Sequence, residues 1–137
     1  MIVTDADRDT SVVVDASALA ALVFGEPDAE AVAARLAGRQ LIAPTMLRYE
    51  MASVYLKKLR RYAAERSALS EMLRAYSQLG IQEVQPDTEG IARIAERTGL
   101  TAYDAAYLWL GQLIRAPVVT LDQRLAEVAR GLGLPEG

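Results

Sequence analysis

The sequence predicts a three-layer α/β/α domain around a mostly parallel central sheet, on three observations. Short β-branched apolar runs without alternation, Ser11-Val12-Val13-Val14 and Val118-Val119, suit strands buried on both faces. Helical patterns lie between successive strand-like runs, the alternation that parallel crossovers require. The length, 137 residues, allows one domain with one real core.

The elements follow in order. Residues 1–10 are polar and acidic and read as a flexible extension, which leaves residues 11–137 as the domain. Asp5, Asp7 and Asp9 imitate the start of an EF-hand loop, but Thr10 stands where that loop needs Gly and Ala16 where it needs Glu. The strand over 11–14 ends abruptly at Asp15. A helix over 16–24 follows, with Ser17 as its cap, then a second short helix over 28–36. Residues 40–43 form another strand, closed by Pro44.

Two long helical patterns, 46–62 and 64–79, are separated by almost nothing and so predict an antiparallel hairpin. On the first, Ala52, Tyr55, Leu56, Leu59 and Ala63 are spaced to form the apolar face. Residues 81–84 make a weak strand and 87–97 a helix. The helix over 102–114 is so apolar that it must be largely buried. Residues 116–121 repeat the character of the first strand and also run into an acid, Asp122. A last helix spans 123–130, and residues 131–137 offer little for a fifth strand.

Composition excludes much chemistry. The chain contains neither cysteine nor histidine. That removes disulfides, thiolate nucleophiles, zinc fingers, the Ser-His-Asp triad and imidazole acid–base pairs. Hydrolysis would have to rest on carboxylates, whose oxygens select hard cations, Mg²⁺ or Mn²⁺. The net charge of −3 gives no global attraction for nucleic acid. Between positions 48 and 74, however, seven basic residues face three acidic ones, a local excess of four positive charges. No uninterrupted apolar run approaches the length of a membrane span and the start is acidic, so a cytoplasmic protein without membrane contact is expected.

In open parallel sheets ligands bind beyond the carboxyl ends of the strands. Asp15 and Asp122 each follow a strand there, with Ser17 and Thr120 as neighbouring hydroxyls. Turn or cap chemistry alone would also explain either Asp. Asp104 sits in the first turn of the buried helix, where Thr101 and Asp104 have the spacing of a helix cap. Yet so buried a helix carries its first turn inward as well. Glu50 lies early on the first long helix, off the apolar stripe, with Lys57 and Arg61 seven and eleven positions on and nearly eclipsed with it. This is either an exposed salt-bridged face or a metal ligand whose helix continues as a cationic track for a phosphate backbone.

The ordered set is an apolar strand into Asp15-Ala16-Ser17, Glu50 on a helix, Tyr103-Asp104-Ala105-x-Tyr107 on a buried helix, and Val118-Val119-Thr120-x-Asp122. It resembles the PIN-domain ribonucleases, and most of all the VapC-type toxins of toxin–antitoxin modules. The resemblance spans residues 11–131. It implies that Asp15, Glu50, Asp104 and Asp122 bind Mg²⁺ or Mn²⁺ and are catalytic, with Ser17 and Thr120 supporting them. It further implies an RNA substrate, products with a 5′-phosphate and a 3′-hydroxyl, a homodimer and a cognate antitoxin protein. With no histidine to take a proton, the expected nucleophile is a metal-activated water attacking phosphorus in line. The alternative is a module of the same fold that binds RNA or protein without cutting.

Overall fold

The computed structural model describes residues 10–136. The acidic extension and its EF-hand-like spacing lie outside the described residues, apart from Thr10. Among the described residues the strands are β1 (Ser11–Val14), β2 (Gln40–Pro44), β3 (Gln82–Val84) and β4 (Val118–Val119). The helices are α1 (Ala16–Val23), α2 (Ala29–Leu36), α3 (Leu47–Arg61), α4 (Arg66–Tyr76), α5 (Thr88–Thr98), α6 (Ala102–Ile114) and α7 (Gln123–Gly131), with a 3-10 turn at Ala63–Glu65.

The strands form one sheet in the order β3-β2-β1-β4, every pair parallel. This is the three-layer α/β arrangement expected. β1 is central, and Val12, Val13 and Val14 are completely buried, which is why that strand shows no alternation. α6 packs on β1, β2 and β4 and is covered in turn by α5. Held from both sides, α6 buries Ala105, Ala106, Tyr107, Leu108, Leu110, Gly111 and Ile114, most of its circumference. Gly111 lets α6 lie close to β4, since a Cβ would stand 3.0 Å from Val118 Cγ2 and 3.2 Å from the Ala116 carbonyl oxygen, tighter than ordinary contact. α1 packs against α2, α3 and α4.

Register places the working edge. Val13 pairs with Val118 and Val14 with Val119, so the next residues, Asp15 and Thr120, emerge side by side. β2 ends at Pro44 on the same edge, and α3 begins three residues later with Glu50 in its first turn.

Three expectations need correction. The cap of α1 is Asp15, whose side chain accepts from the Ala18 amide, while Ser17 lies within the helix. The apolar stripe of α3 is rotated: Leu47 and Met51 are buried, whereas Ala52, Leu56 and Ala63 face outward. Tyr55 and Leu59 are only half-buried, because the partner across the hairpin is the short helix α4. The last strand is paired only over Val118–Val119, not 116–121. Pro117 has no amide to donate, and beyond Val119 the chain turns so that the Thr120 hydroxyl accepts from the Asp122 amide at 3.0 Å. No strand follows β4 among the described residues.

Candidate active site

Asp15 is 5% exposed and held by three donors. Its Oδ1 accepts from the Ala18 amide at 3.0 Å and from Ser17 Oγ at 2.7 Å, and its Oδ2 accepts from Thr120 Oγ1 at 2.5 Å. A carboxylate offers about four lone-pair sites, so one remains, on Oδ2. Ser17 Oγ also accepts from the Leu121 amide at 2.9 Å, tying the start of α1 to the loop after β4. Ser17 and Thr120 thus do more than accompany Asp15; they fix its plane.

Glu50 reaches the same edge from α3. Its Oε1 accepts from the hydroxyl of Tyr107 at 2.5 Å, a residue 1% exposed on α6. Asp104, one turn before Tyr107, stands in the first turn of α6, whose amide at position 104 is capped by Thr101 Oγ1 at 3.1 Å. Asp122 caps α7 through Leu125, amide to Oδ1, at 3.2 Å. Capping chemistry is therefore present at Asp15 and Asp122, and at Asp104 it is Thr101 that supplies it. It does not use up the carboxylates.

The electrostatics join them. Burial pushes the Asp15 carboxyl above the ordinary carboxylate range, against its three hydrogen bonds, and the charge of Asp104 pushes the same way. Burial raises Glu50 too; the Tyr107 hydroxyl draws it back, and Asp15 and Asp104 raise it further. Asp104 is raised by burial and then by Asp122, with Thr101 and Arg124 opposing. Burial, with Glu50 next, also holds the Tyr107 phenol well above its usual range, so it stays a donor.

None of these four acids pairs with a Lys or Arg within 4 Å among the described residues. With Arg124 acting on Asp104 only from beyond ion-pair distance, these all-oxygen donors fit a hard divalent cation in charge and in chemistry. Among the described residues, no group of three or more acids stands close enough to grip an ion. The arrangement is a gathering of charge, not a preformed cage.

Lys57 and Arg61 fare differently. Lys57 lines an open cleft of about 380 Å³ together with Ala16, Tyr49, Glu50, Ser53, Val54 and Tyr103. The Arg61 guanidinium lies 5.4 Å from the Tyr62 ring centre, at the far end of α3. Lys58, not singled out by the sequence, bonds Glu26 at 2.7 Å and stands over the Phe24 ring, fastening α3 to the end of α1. Sequence reasoning also gave Tyr107 no role. The available signal was its place three residues after Asp104, a phenol in an otherwise apolar helix that needs a buried partner.

The PIN domain family model matches residues 12–131. The chain is 33% identical over 128 residues to Ribonuclease VapC3 of Pyrobaculum aerophilum, covering 90% of this chain and 98% of that protein. The crystal structure of PAE2754 from Pyrobaculum aerophilum superposes with a TM-score of 0.68 at 23% identity, covering 92% of this chain and 97% of that one, a likeness of fold. The family match spans the sheet and all the acids just described, and the chain accordingly belongs to the PIN-domain family as a relative of the VapC-type ribonucleases.

Proposed function

We propose that this protein is a ribonuclease that hydrolyses RNA phosphodiester bonds with Mg²⁺ or Mn²⁺, and that residues 11–137 form its working unit. The observation that carries this reading is the convergence of Asp15, Glu50 and Asp104, three carboxyls on separate elements, each raised by burial and by another acid of the group. Asp15, Glu50, Asp104 and Asp122 would hold the cation. A divalent ion there supplies positive charge against the phosphate and lowers the pKa of water.

The chain's own residues do the orienting. Thr120, Ser17 and the Ala18 amide leave Asp15 a single free lone-pair direction, on Oδ2. Tyr107 occupies Oε1 of Glu50 and leaves Oε2 for ligation. Lys57, and beyond it Arg61, would meet the phosphates of the RNA backbone on either side of the cut.

Kinship with Ribonuclease VapC3 supports the further reading that this is the toxin of a toxin–antitoxin pair acting in the cytoplasm. Among the described residues no helix is long and apolar enough to cross a membrane. The outward side chains Leu56 and Tyr62 on the hairpin, with Leu113 on α6, give a homodimer or a cognate antitoxin apolar surface to cover. Incubation of a mixed RNA pool tests the activity: fragments with 5′-phosphate ends in Mn²⁺ or Mg²⁺, and none in EDTA, are expected. Intact RNA under all conditions would leave a binding module. Light scattering at high micromolar concentration tests the dimer separately, and a monomer there would remove it.

A further inference from the structure

Two tyrosines stand open at the mouth of the acidic site. Tyr49 is 70% exposed and Tyr103 is 63% exposed, in a chain that buries Tyr107 almost completely. Tyr49 immediately precedes Glu50 in the first turn of α3, and Tyr103 immediately precedes Asp104 in the first turn of α6. One step along a helix turns a side chain by roughly 100°. Each acid faces inward, and the ring before it therefore stands at the rim. Both rings line the one cleft whose other walls carry Glu50, Ser53 and Lys57. Neither hydroxyl has a hydrogen-bond partner among the described residues.

We infer that Tyr49 and Tyr103 form a stacking clamp for unpaired bases beside the scissile phosphate, an inference that rests on the nuclease reading above. A largely exposed phenol ring offers what a nucleobase needs, a flat apolar surface that is indifferent to sequence. The cleft, about 380 Å³, falls within the size range of small-ligand sites. Lys57 supplies a cation for the adjoining phosphate. A protein surface is the poorer occupant, because Glu50, Ser53 and Lys57 would place two charges and a hydroxyl in the middle of its apolar contact. Duplex RNA keeps its base faces stacked on one another, so a clamp of this kind selects single strands, loops and ends.

The experiment uses the full chain and a fluorescent oligoribonucleotide of mixed sequence, alone or annealed to its complement. Binding is read by anisotropy in EDTA, and cleavage in Mn²⁺ is followed alongside. Tyr49→Ala and Tyr103→Ala should each weaken binding of the unpaired strand about 5- to 150-fold. Tyr49→Phe and Tyr103→Phe should bind nearly as the parent does, and the rise in melting temperature with Mn²⁺ should persist in all four variants. Duplex binding should not change. Alanine variants that bind the unpaired strand like the parent, or that lose duplex binding equally, would overturn the clamp. A fall in sedimentation mass accompanying the loss would assign the rings to a protein interface and overturn it as well. If the parent fails to cut while binding still depends on the rings, the nuclease reading fails and the clamp stands; cutting without that dependence is the reverse.

Discussion

Tyr107 donates its hydroxyl hydrogen to Oε1 of Glu50 at 2.5 Å, joining α6 to α3 across 57 positions of sequence. The pair links the two helices that carry Glu50 and Asp104, so the spacing of those acids depends on a residue that is itself out of reach of solvent.

Tyr107→Phe removes the hydroxyl and keeps the ring. Hydrogen bonds to charged groups contribute about 1.5–3 kcal/mol, and a loss of that size in denaturant unfolding is expected. The hydroxyl also pulls the Glu50 carboxyl down, so without it that carboxyl moves further up and the rise of cleavage with pH moves to higher pH. Unchanged stability with an unchanged pH profile would remove Tyr107 from any positioning role.

Asp104→Asn should abolish cleavage and make the protein more stable in EDTA near neutral pH. Burial and Asp122 raise the folded carboxyl above its unfolded value, so ionisation costs stability as pH climbs through the folded value. The gain from Asn is present above that pH and disappears below the unfolded pKa, where both forms are neutral. As a simple first-turn acid, Asp104 would instead contribute roughly 0.3–1 kcal/mol, and the variant would be weaker. Melting curves in EDTA at neutral and acidic pH decide the sign.

Mn²⁺ or Mg²⁺ should raise the melting temperature, and EDTA should reverse the effect. At a hundredfold excess over the dissociation constant the gain is about 2.7 kcal/mol if only the folded state binds. Because Asp15, Glu50 and Asp104 are all raised, protons compete with the ion, and the gain should shrink as pH falls from neutral through the raised carboxyl values. Calorimetry that shows no dependence on the ion at any pH would argue against the cluster.

Lys57→Ala and Arg61→Ala separate the two halves of the cationic track. Each phosphate contact with a single strand contributes about 0.7 to the salt slope, so the double variant should lose up to about 1.4. Lys57 lines the cleft beside Glu50, whereas Arg61 leans on Tyr62, so the single change at Lys57 should carry the larger share. A slope that stays the same in both would return these residues to the solvated face of α3.

Much of this was legible in the sequence, for a reason visible at β1. A strand buried on both faces has no choice of residue, and the acid that ends it marks the edge where the chain must turn. Asp15 and Asp122 could be named because each follows an apolar strand, Asp104 because it opens an apolar helix, and Glu50 because it stands off the apolar stripe in line with Lys57 and Arg61. The rotation of the α3 stripe could not be read, since Leu47 and Met51 compete with Leu56 and Leu59 for the same period and tertiary contacts decide between them. The cap of α1 was misplaced by two residues because Asp and Ser are both good caps, and only the hydroxyl of Thr120 shows which one the fold holds still. The partnership of Tyr107 with Glu50 is a distance across the fold, which spacing along the chain does not encode.

The grip of Thr120 on Asp15 spans 105 positions. During synthesis Asp15, Glu50 and Asp104 all emerge before the segment that orients the first of them. Closing so long a loop costs entropy that is offset only when β4 pairs with β1. The site proposed here is thus completed last: a nascent or truncated chain that stops short of Thr120 carries three of its four acids but lacks the hydroxyl that orients Asp15.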